Sequence, residues 1–312
     1  MSPTRRQAML GAAALPLAAC SAEPVAATTP PPREEIRPLL TRAISSTGEQ
    51  IPVIGLGTWQ AFDIAPSDPT WVEARAALKT FFDGGGRVVD SSPMYGRAEA
   101  AIGALAAELD IAEPLFLATK VWTPGREQGL AQMEQSFERL QVETLDLMQV
   151  HNLLDLETHL ATLAEWKAAG RVRLIGVTHY NEGAYEALEA AMRRHPLDFV
   201  QINYSVAETA SERRILPLAQ ERGMAVLVNR PFAGGDVFAR VRRLPLPDWA
   251  AEIRAASWAQ LLLKFVLAHP AVTCAIPGTR NPRHVADNLG AGAGSLPDAA
   301  LRRRIVEAVR AA

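Results

Sequence analysis

Cysteine is nearly absent from this 312-residue chain, which contains only Cys20 and Cys274. Cys20 lies in an N-terminal leader and Cys274 in a predicted buried strand, so we expect no disulfide bond. The histidine and cysteine residues are not grouped at the spacings that metal ligands show, so the sequence predicts no metal site. These scarcities argue against a disulfide-stabilised scaffold and against a metalloenzyme.

An excess of one charge is also missing, because 32 Lys and Arg face 34 Asp and Glu, for a formal net charge of -2. We therefore expect no nucleic-acid surface. After the leader, no apolar run reaches the roughly 20 residues that a membrane-spanning helix needs. The Gly-x-Gly-x-x-Gly signature is absent too, since Gly55-Leu56-Gly57 lacks the third glycine, so no Rossmann site is expected.

The chain does contain a regular alternation of short apolar runs and helical segments, with a repeat of roughly thirty residues that is typical of βα units. Eight strands are predicted, near residues 53–57, 87–90, 115–120, 145–151, 174–179, 199–203, 225–229 and 273–276. Strands that are apolar on both faces indicate a parallel sheet covered by helices. We predict one α/β domain over residues 38–312, a single (β/α)8 TIM barrel, with a long loop near 229–255 and two helices at the end.

Four polar residues stand where one reaction needs them: Asp90, Tyr95, Lys120 and His151. Three of them close apolar runs, and a TIM barrel builds its active site at the carboxyl ends of its strands. For carbonyl reduction, Tyr95 is a candidate acid, Lys120 is expected to lower its pKa, and Asp90 can pair with Lys120. His151 can orient the carbonyl oxygen or take part in a proton relay. The alternative is four ordinary strand-end residues, with a plain salt bridge between Lys120 and Asp90.

Taken in order, these segments resemble the aldo-keto reductases from about residue 44 to about residue 291. The resemblance is carried by Gly55-Leu56-Gly57-Thr58-Trp59, Asp90 to Tyr95-Gly96, Thr119-Lys120, Val150-His151, Ile175 to Asn181, Val200 to Ser205 and Ile276-Pro277-Gly278-Thr279. It implies an NAD(P)(H)-dependent oxidoreductase that interconverts an aldehyde or ketone and an alcohol, with the four residues in the roles given above. It also implies an N-terminal β-hairpin near 43–52 that caps the barrel, and an extra C-terminal helix.

The cofactor implied by the resemblance is NADPH, with NADH not excluded, lying over the barrel mouth. Thr178, His179 and Gln201 match the positions that hold its carboxamide, and Gly57, Thr58 and Trp59 are further cofactor-binding residues. Thr178 and His179 replace the family's usual Ser-Asn pair but keep hydrogen-bonding capacity. For His179, a second catalytic histidine or a simple strand end stays an alternative.

The phosphate end is expected after the seventh and eighth strands, where the start of a helix attracts anions. The residues assigned to it are Gly278, Thr279, Arg280, Arg283, His284, Asp287 and Asn288. Arg280 and Arg283 are candidates for the adenosine 2′-phosphate because a guanidinium binds phosphate through paired donors. Asp287 and Asn288 match the pair that holds the adenine. The alternative is that both arginines only face solvent.

Two departures from the family's pattern bear on cofactor and substrate. Where the family has a stacking tyrosine in Tyr-Ser-Pro-Leu, this chain has Asn229-Arg230-Pro231-Phe232. Either Arg230 or Phe232 compensates for the lost ring, or cofactor affinity falls. Asn152 replaces the tryptophan that often follows His151. The substrate pocket, which we assign to Trp59, Trp122 and Asn152, is therefore expected to differ from that of the family.

A low-turnover NADP-binding regulatory protein on the same barrel is the alternative function.

Residues 1–30 are interpreted as an export signal and tether. Arg5-Arg6 before a short apolar run resembles a twin-arginine signal, and Leu17-Ala18-Ala19-Cys20 resembles a lipoprotein cleavage box. We expect an exported, periplasmic protein that contacts the Tat machinery and is anchored through a lipid on Cys20. Cleavage near Val25-Ala26-Ala27, which would release a soluble periplasmic protein, is the alternative.

Overall fold

The computed structural model describes residues 38–312. The predicted leader, with Arg5, Arg6 and Cys20, lies outside the described residues. The described part opens with an antiparallel hairpin of β1 (Thr41–Ala43) and β2 (Gln50–Pro52). Its turn is closed by backbone bonds from Thr47 and Gly48 to the Ile44 carbonyl. The predicted hairpin is therefore present.

The core is an eight-stranded parallel sheet whose strands follow one another in chain order. The strands are β3 (Leu56–Gly57), β4 (Val88–Asp90), β5 (Phe116–Val121), β6 (Leu145–His151), β7 (Val172–His179), β8 (Phe199–Asn203), β9 (Ala225–Asn229) and β10 (Cys274–Ala275). Parallel bridges between Ile54 and Ala275 and between Gly57 and Gly278 join the first strand to the last. A Cβ on Gly57 would lie 2.7 Å from the Ile276 carbonyl oxygen, so this junction needs glycine. The prediction of a closed (β/α)8 barrel is confirmed.

Ten α-helices flank and follow the strands of the described chain. They are α1 (Trp71–Asp83), α2 (Ala98–Leu109), α3 (Arg126–Leu140), α4 (Leu156–Ala168), α5 (Tyr185–Arg194), α6 (Ile215–Glu221), α7 (Asp236–Val241), α8 (Trp258–Leu267), α9 (Pro282–Gly290) and α10 (Ala299–Arg310). A helix follows each of the eight strands of the sheet, as the predicted βα repeat requires. Over residues 38–312, none is long and apolar enough to cross a membrane.

The prediction of a long loop near 229–255 is wrong. The segment contains α7 and two 3-10 helices, Ala233–Gly235 and Asp248–Ile253. Val237 and Val241 are buried at a spacing of four residues, so a single helical turn docks on the barrel. A helix this short carries too few apolar residues for a period to be visible in the sequence.

The barrel interior is layered. An apolar layer fills its lower part and includes Ile44 and Ile51 from the hairpin, with Val88, Phe116, Ala118, Leu147, Leu174, Phe199, Ala225, Leu227, Cys274 and Ile276. Because side chains alternate along a strand, the residue two positions after an interior one is also interior, one layer higher. That rule places a polar layer above the apolar one, composed of Asp90, Lys120, Gln149, Gln201 and Asn229.

Candidate active site

A buried ion pair lies at the centre of the polar layer. Lys120 Nζ donates to both carboxylate oxygens of Asp90 at 2.8 Å and to the Ser91 carbonyl at 2.6 Å. Burial raises the pKa of Asp90, and the Lys120 ammonium opposes that rise. Burial disfavours the Lys120 ammonium as well, but the attractions to Asp90, Tyr95 and Glu99 together outweigh it and raise the pKa of Lys120. Two short bonds on one carboxylate keep the pair ionised.

Tyr95 lies above this pair, in the loop that joins β4 to α2. Lys120 Nζ is 5.3 Å from the centroid of its ring, and the His151 ring meets it edge-on at 6.1 Å. The Lys120 charge lowers the pKa of Tyr95 as predicted, but the net shift of that pKa is upwards. Burial raises that pKa, and the nearby Lys120 charge offsets only part of the rise. The phenol is therefore protonated at neutral pH.

His151 ends β6 and faces the same space. Its Nδ1 lies 3.1 Å from Ser92 Oγ, and its ring centroid lies 6.5 Å from that of Trp122. Burial, assisted by the positive Lys120, lowers the pKa of His151 to about 3. The ring is thus neutral at physiological pH, with one N–H to donate and one nitrogen to accept. Ser92 was not predicted as a site residue, because a second serine after a strand is not by itself typical of an active site.

The residues assigned to the substrate pocket surround this opening. Trp59 and Trp122 have 53% and 40% of their surface exposed, so neither is a core residue. Asn152 follows His151 with φ of 54°, in the left-handed region where asparagine is tolerated. Thr58 is buried beside them, and its hydroxyl donates to Ser91 Oγ at 3.0 Å.

The residues assigned to the carboxamide of the nicotinamide, Thr178, His179 and Gln201, lie together on the neighbouring strands β7 and β8. Gln201 is buried and donates Nε2 to Asp90 Oδ2 at 3.2 Å. The Asn181 backbone N–H donates to His179 Nδ1 at 3.0 Å, so a neutral ring carries its hydrogen on Nε2. Burial lowers the pKa of His179, which favours that neutral form. Thr178 is buried next to it in the strand.

The segment that replaces the stacking tyrosine is engaged within the protein. Arg230 has φ of 50° and pairs with Glu208 at 3.5 Å. The Phe232 ring packs on Phe238 of α7 with centroids 4.8 Å apart. Pro231 joins Arg230 to Phe232 in the chain. Asn229 ends β9 with a buried Oδ1 that has no partner within the described residues. No aromatic side chain of this segment replaces the tyrosine ring.

The residues assigned to the phosphate end lie around the start of α9. Gly278 closes the barrel against Gly57, and the Thr279 hydroxyl accepts the Asn281 N–H at 3.1 Å. The Asn281 side chain caps the helix by accepting the Arg283 N–H at 2.9 Å. Arg283 and His284 are exposed.

Two further residues assigned to the phosphate end have protein partners. Arg280 is half-buried, with 3.5 Å to the Ala61 carbonyl and 3.6 Å to Glu73. Asp287 accepts from Ser257 and Gln260 of the α8 start, each at 2.8 Å, so its carboxylate already joins two helices. Asn288 beside it is buried. Across residues 38–312, no group of His, Cys, Asp and Glu could hold a metal ion.

Comparisons with known proteins agree with this arrangement. The sequence model of the aldo/keto reductase family matches residues 53–304. The methylglyoxal reductase YeaE of Escherichia coli (strain K12) is 28% identical over 245 residues, covering 76% of this chain and 84% of that protein. The pyridoxal 4-dehydrogenase of Microbacterium luteolum is 26% identical over 328 residues, covering 82% and 94%.

A crystal structure of an aldo-keto reductase from Klebsiella pneumoniae in complex with NADPH superimposes with a TM-score of 0.70 and 26% identity, covering 84% of this chain and 92% of that one. The fold, the layered interior and the family match over residues 53–304 lead to one conclusion. The chain belongs to the aldo/keto reductase family.

Proposed function

We propose that the protein is an NADPH-dependent reductase that reversibly converts an aldehyde or ketone into an alcohol. The observation that carries this proposal is the buried Lys120–Asp90 pair, at 2.8 Å, beneath the Tyr95 ring and beside the neutral His151. The relative from Escherichia coli is named a methylglyoxal reductase and the Klebsiella structure holds NADPH. Both support a carbonyl substrate and this cofactor.

Each side chain has a distinct task in the proposed reaction. Bound NADPH supplies a hydride to the carbonyl carbon. His151, held neutral, donates a ring N–H to the carbonyl oxygen and orients it. Tyr95, held protonated by burial, gives its phenolic proton to the developing alkoxide. Lys120 then stabilises the tyrosinate by its charge, and Asp90 keeps Lys120 in place as an ammonium.

The residues at the mouth fit a nicotinamide carboxamide, which needs both donors and acceptors. His179 offers Nε2–H, because its Nδ1 accepts from Asn181 at 3.0 Å. Asn229 offers a buried oxygen without a partner in the described chain. Thr178 and Gln201 add a hydroxyl and an amide. Stacking on the nicotinamide ring is the one contribution that this set does not supply.

The test is NADPH binding and NADPH consumption by the full chain with a panel of reactive aldehydes that includes methylglyoxal. Tyr95→Phe should lower turnover by about 100- to 10,000-fold, the contribution typical of a general acid, while NADPH binding stays nearly unchanged. Tyr185→Phe is the matched control, since its hydroxyl contacts only the Asn203 carbonyl, at 3.4 Å. Full activity of Tyr95→Phe would show that the acid is wrongly assigned.

A second function, a low-turnover NADP-binding regulatory protein, is favoured by one observation. Asn229 stands where a stacking tyrosine is usual, and Phe232 packs on Phe238 instead. A nucleotide that co-purifies with the protein, together with no turnover across the aldehyde panel, would favour this function over the reductase.

We also propose that the protein is exported by the twin-arginine route and anchored through a lipid on Cys20. The support is the pair Arg5-Arg6 before a short apolar run and the box Leu17-Ala18-Ala19-Cys20. Soluble release after Val25-Ala26-Ala27 is the alternative. That route carries folded proteins, which would let a nucleotide bound in the cytoplasm travel inside the barrel.

A further inference from the structure

Gln149 is a fully buried amide in the middle of β6. It pairs in register with Lys120 of the neighbouring strand. Its Nε2 donates to Gln201 Oε1 at 2.7 Å, and Gln201 Nε2 donates in turn to Asp90 Oδ2 at 3.2 Å. A line of hydrogen bonds therefore runs from Gln149 through Gln201 to the ion pair.

The direction of this line is fixed by the carboxylate. An ionised Asp90 only accepts hydrogen bonds, so Gln201 must turn its N–H towards it. The Gln201 oxygen then faces Gln149, which must present an N–H in return. The Gln149 oxygen is left buried without a partner among the described residues.

That unpaired oxygen argues for a role beyond stability. A buried polar atom without a partner destabilises the fold, and apolar side chains of similar length at both 149 and 201 would avoid it. The layer beneath, with Leu147 two residues earlier, is apolar throughout. A local feature that opposes stability next to a reactive centre is typical of functional positions.

We propose that Gln149 is a positioning residue that fixes the orientation of the Gln201 amide. With its oxygen held by Gln149 and one N–H held by Asp90, Gln201 keeps one N–H for a ligand. Gln201 is thereby set to donate to the carboxamide oxygen of the nicotinamide. This inference rests on the proposed function, because it assumes that NADPH lies over the polar layer.

The first test is Gln149→Met, which keeps the length of the side chain and removes the amide. We expect the Kd for NADPH to rise by about 3- to 10-fold, the range that one lost hydrogen bond gives. The thermal midpoint should change little, because the variant removes the unpaired Gln149 oxygen but leaves the buried Gln201 oxygen without its donor. Met148→Leu is the matched control, since Met148 adjoins Gln149 but belongs to the outer core cluster.

A double-mutant cycle separates positioning from packing. If Gln149 acts only through Gln201, Gln149→Met should leave the Kd unchanged in a Gln201→Met background. Equal losses in both backgrounds, or an unchanged Kd in the single variant, would overturn the inference. Gln149→Leu is measured in the same cycle, so that the test stands if the first variant does not fold. A wild-type protein that binds no NADPH would overturn the proposed function as well, whereas the other outcomes leave it intact.

Discussion

At the scale of single residues, the Lys120–Asp90 pair has a cost and a use. Both side chains are almost completely buried, at 1% and 3% exposure. Removing two charges from water is unfavourable, and a buried pair is weak evidence for stability. In the proposed reaction, its position under Tyr95 gives the better explanation, because the fixed positive charge would stabilise the phenolate that forms when Tyr95 gives up its proton.

The pair predicts how its variants differ. Lys120→Met should lower the free energy of unfolding by about 3–5 kcal/mol, because it strands the buried Asp90 carboxylate. Adding Asp90→Asn should recover much of that loss without recovering aldehyde reduction. Denaturant unfolding and turnover, measured on the single and double variants, check both statements. A double variant no more stable than Lys120→Met would contradict the argument.

His151 predicts a pH dependence of stability. Its pKa is lowered from 6.5 to about 3, so below pH 6.5 the unfolded chain takes up a proton that the folded protein refuses. Stability from this group is fully present above pH 6.5 and is lost as the pH falls towards 3, by at most roughly 1.4 kcal/mol per pH unit. His151→Gln should give a flatter curve of unfolding free energy between pH 6.5 and 4. Parallel curves for the two proteins would contradict the lowered pKa.

The sequence was sufficient to predict that Asp90, Tyr95, Lys120 and His151 lie together, because each ends an apolar run or lies just after one. It was not sufficient to predict the pKa of Tyr95, since the balance between burial and the Lys120 charge depends on distances. Gln149 was missed for a related reason. A single amide inside an apolar strand becomes informative only when Gln201 and Asp90 are found beside it.

At the scale of elements, the start of α9 is the part of the fold to which we assign the choice between NADPH and NADH. Pro282 lacks an N–H and the Arg283 N–H is taken by the Asn281 cap. Much of the attraction for a phosphate must then come from side chains. Arg280, half-buried, and Arg283, exposed, are the cations nearest to this helix start in sequence.

Arg280→Ala with Arg283→Ala should weaken NADPH binding at least about tenfold more than NADH binding, since only NADPH carries the 2′-phosphate that a guanidinium pairs with. Titration of both nucleotides measures the difference. Arg303→Ala with Arg310→Ala changes the net charge equally at exposed positions of α10 and serves as the control. Equal losses for the two nucleotides would leave the arginines as surface charge.

Element bounds were predictable where the local chemistry is strong. Three glycines after α1 and single glycines after α4 and α6 mark helix ends in the sequence. The segment after β9 was not predictable, because α7 forms by docking Val237 and Val241 and not through any local preference. Strand ends were predicted well because polar residues interrupt each apolar run at the barrel mouth.

At the scale of the whole molecule, the proposed export route makes a prediction about the leader. Arg5→Lys with Arg6→Lys should retain the precursor in the cytoplasm, whereas Cys20→Ala should permit export and remove the membrane anchor. Cell fractionation with nucleotide analysis of the exported protein tests both. Continued export of the double-lysine variant would indicate the general secretory route, which passes unfolded chains and would strip any bound cofactor.

The N-terminal hairpin of β1 and β2 has a consequence for proton exchange between the active site and solvent. Ile44 and Ile51 belong to the apolar layer and close the lower end of the barrel. The polar layer is therefore open to solvent only at the other end, among the loops. A nucleotide bound across that opening would block the access of water to Tyr95. Proton exchange between Tyr95 and solvent would then depend on nucleotide release. The phenol would be reprotonated when the oxidised cofactor dissociates.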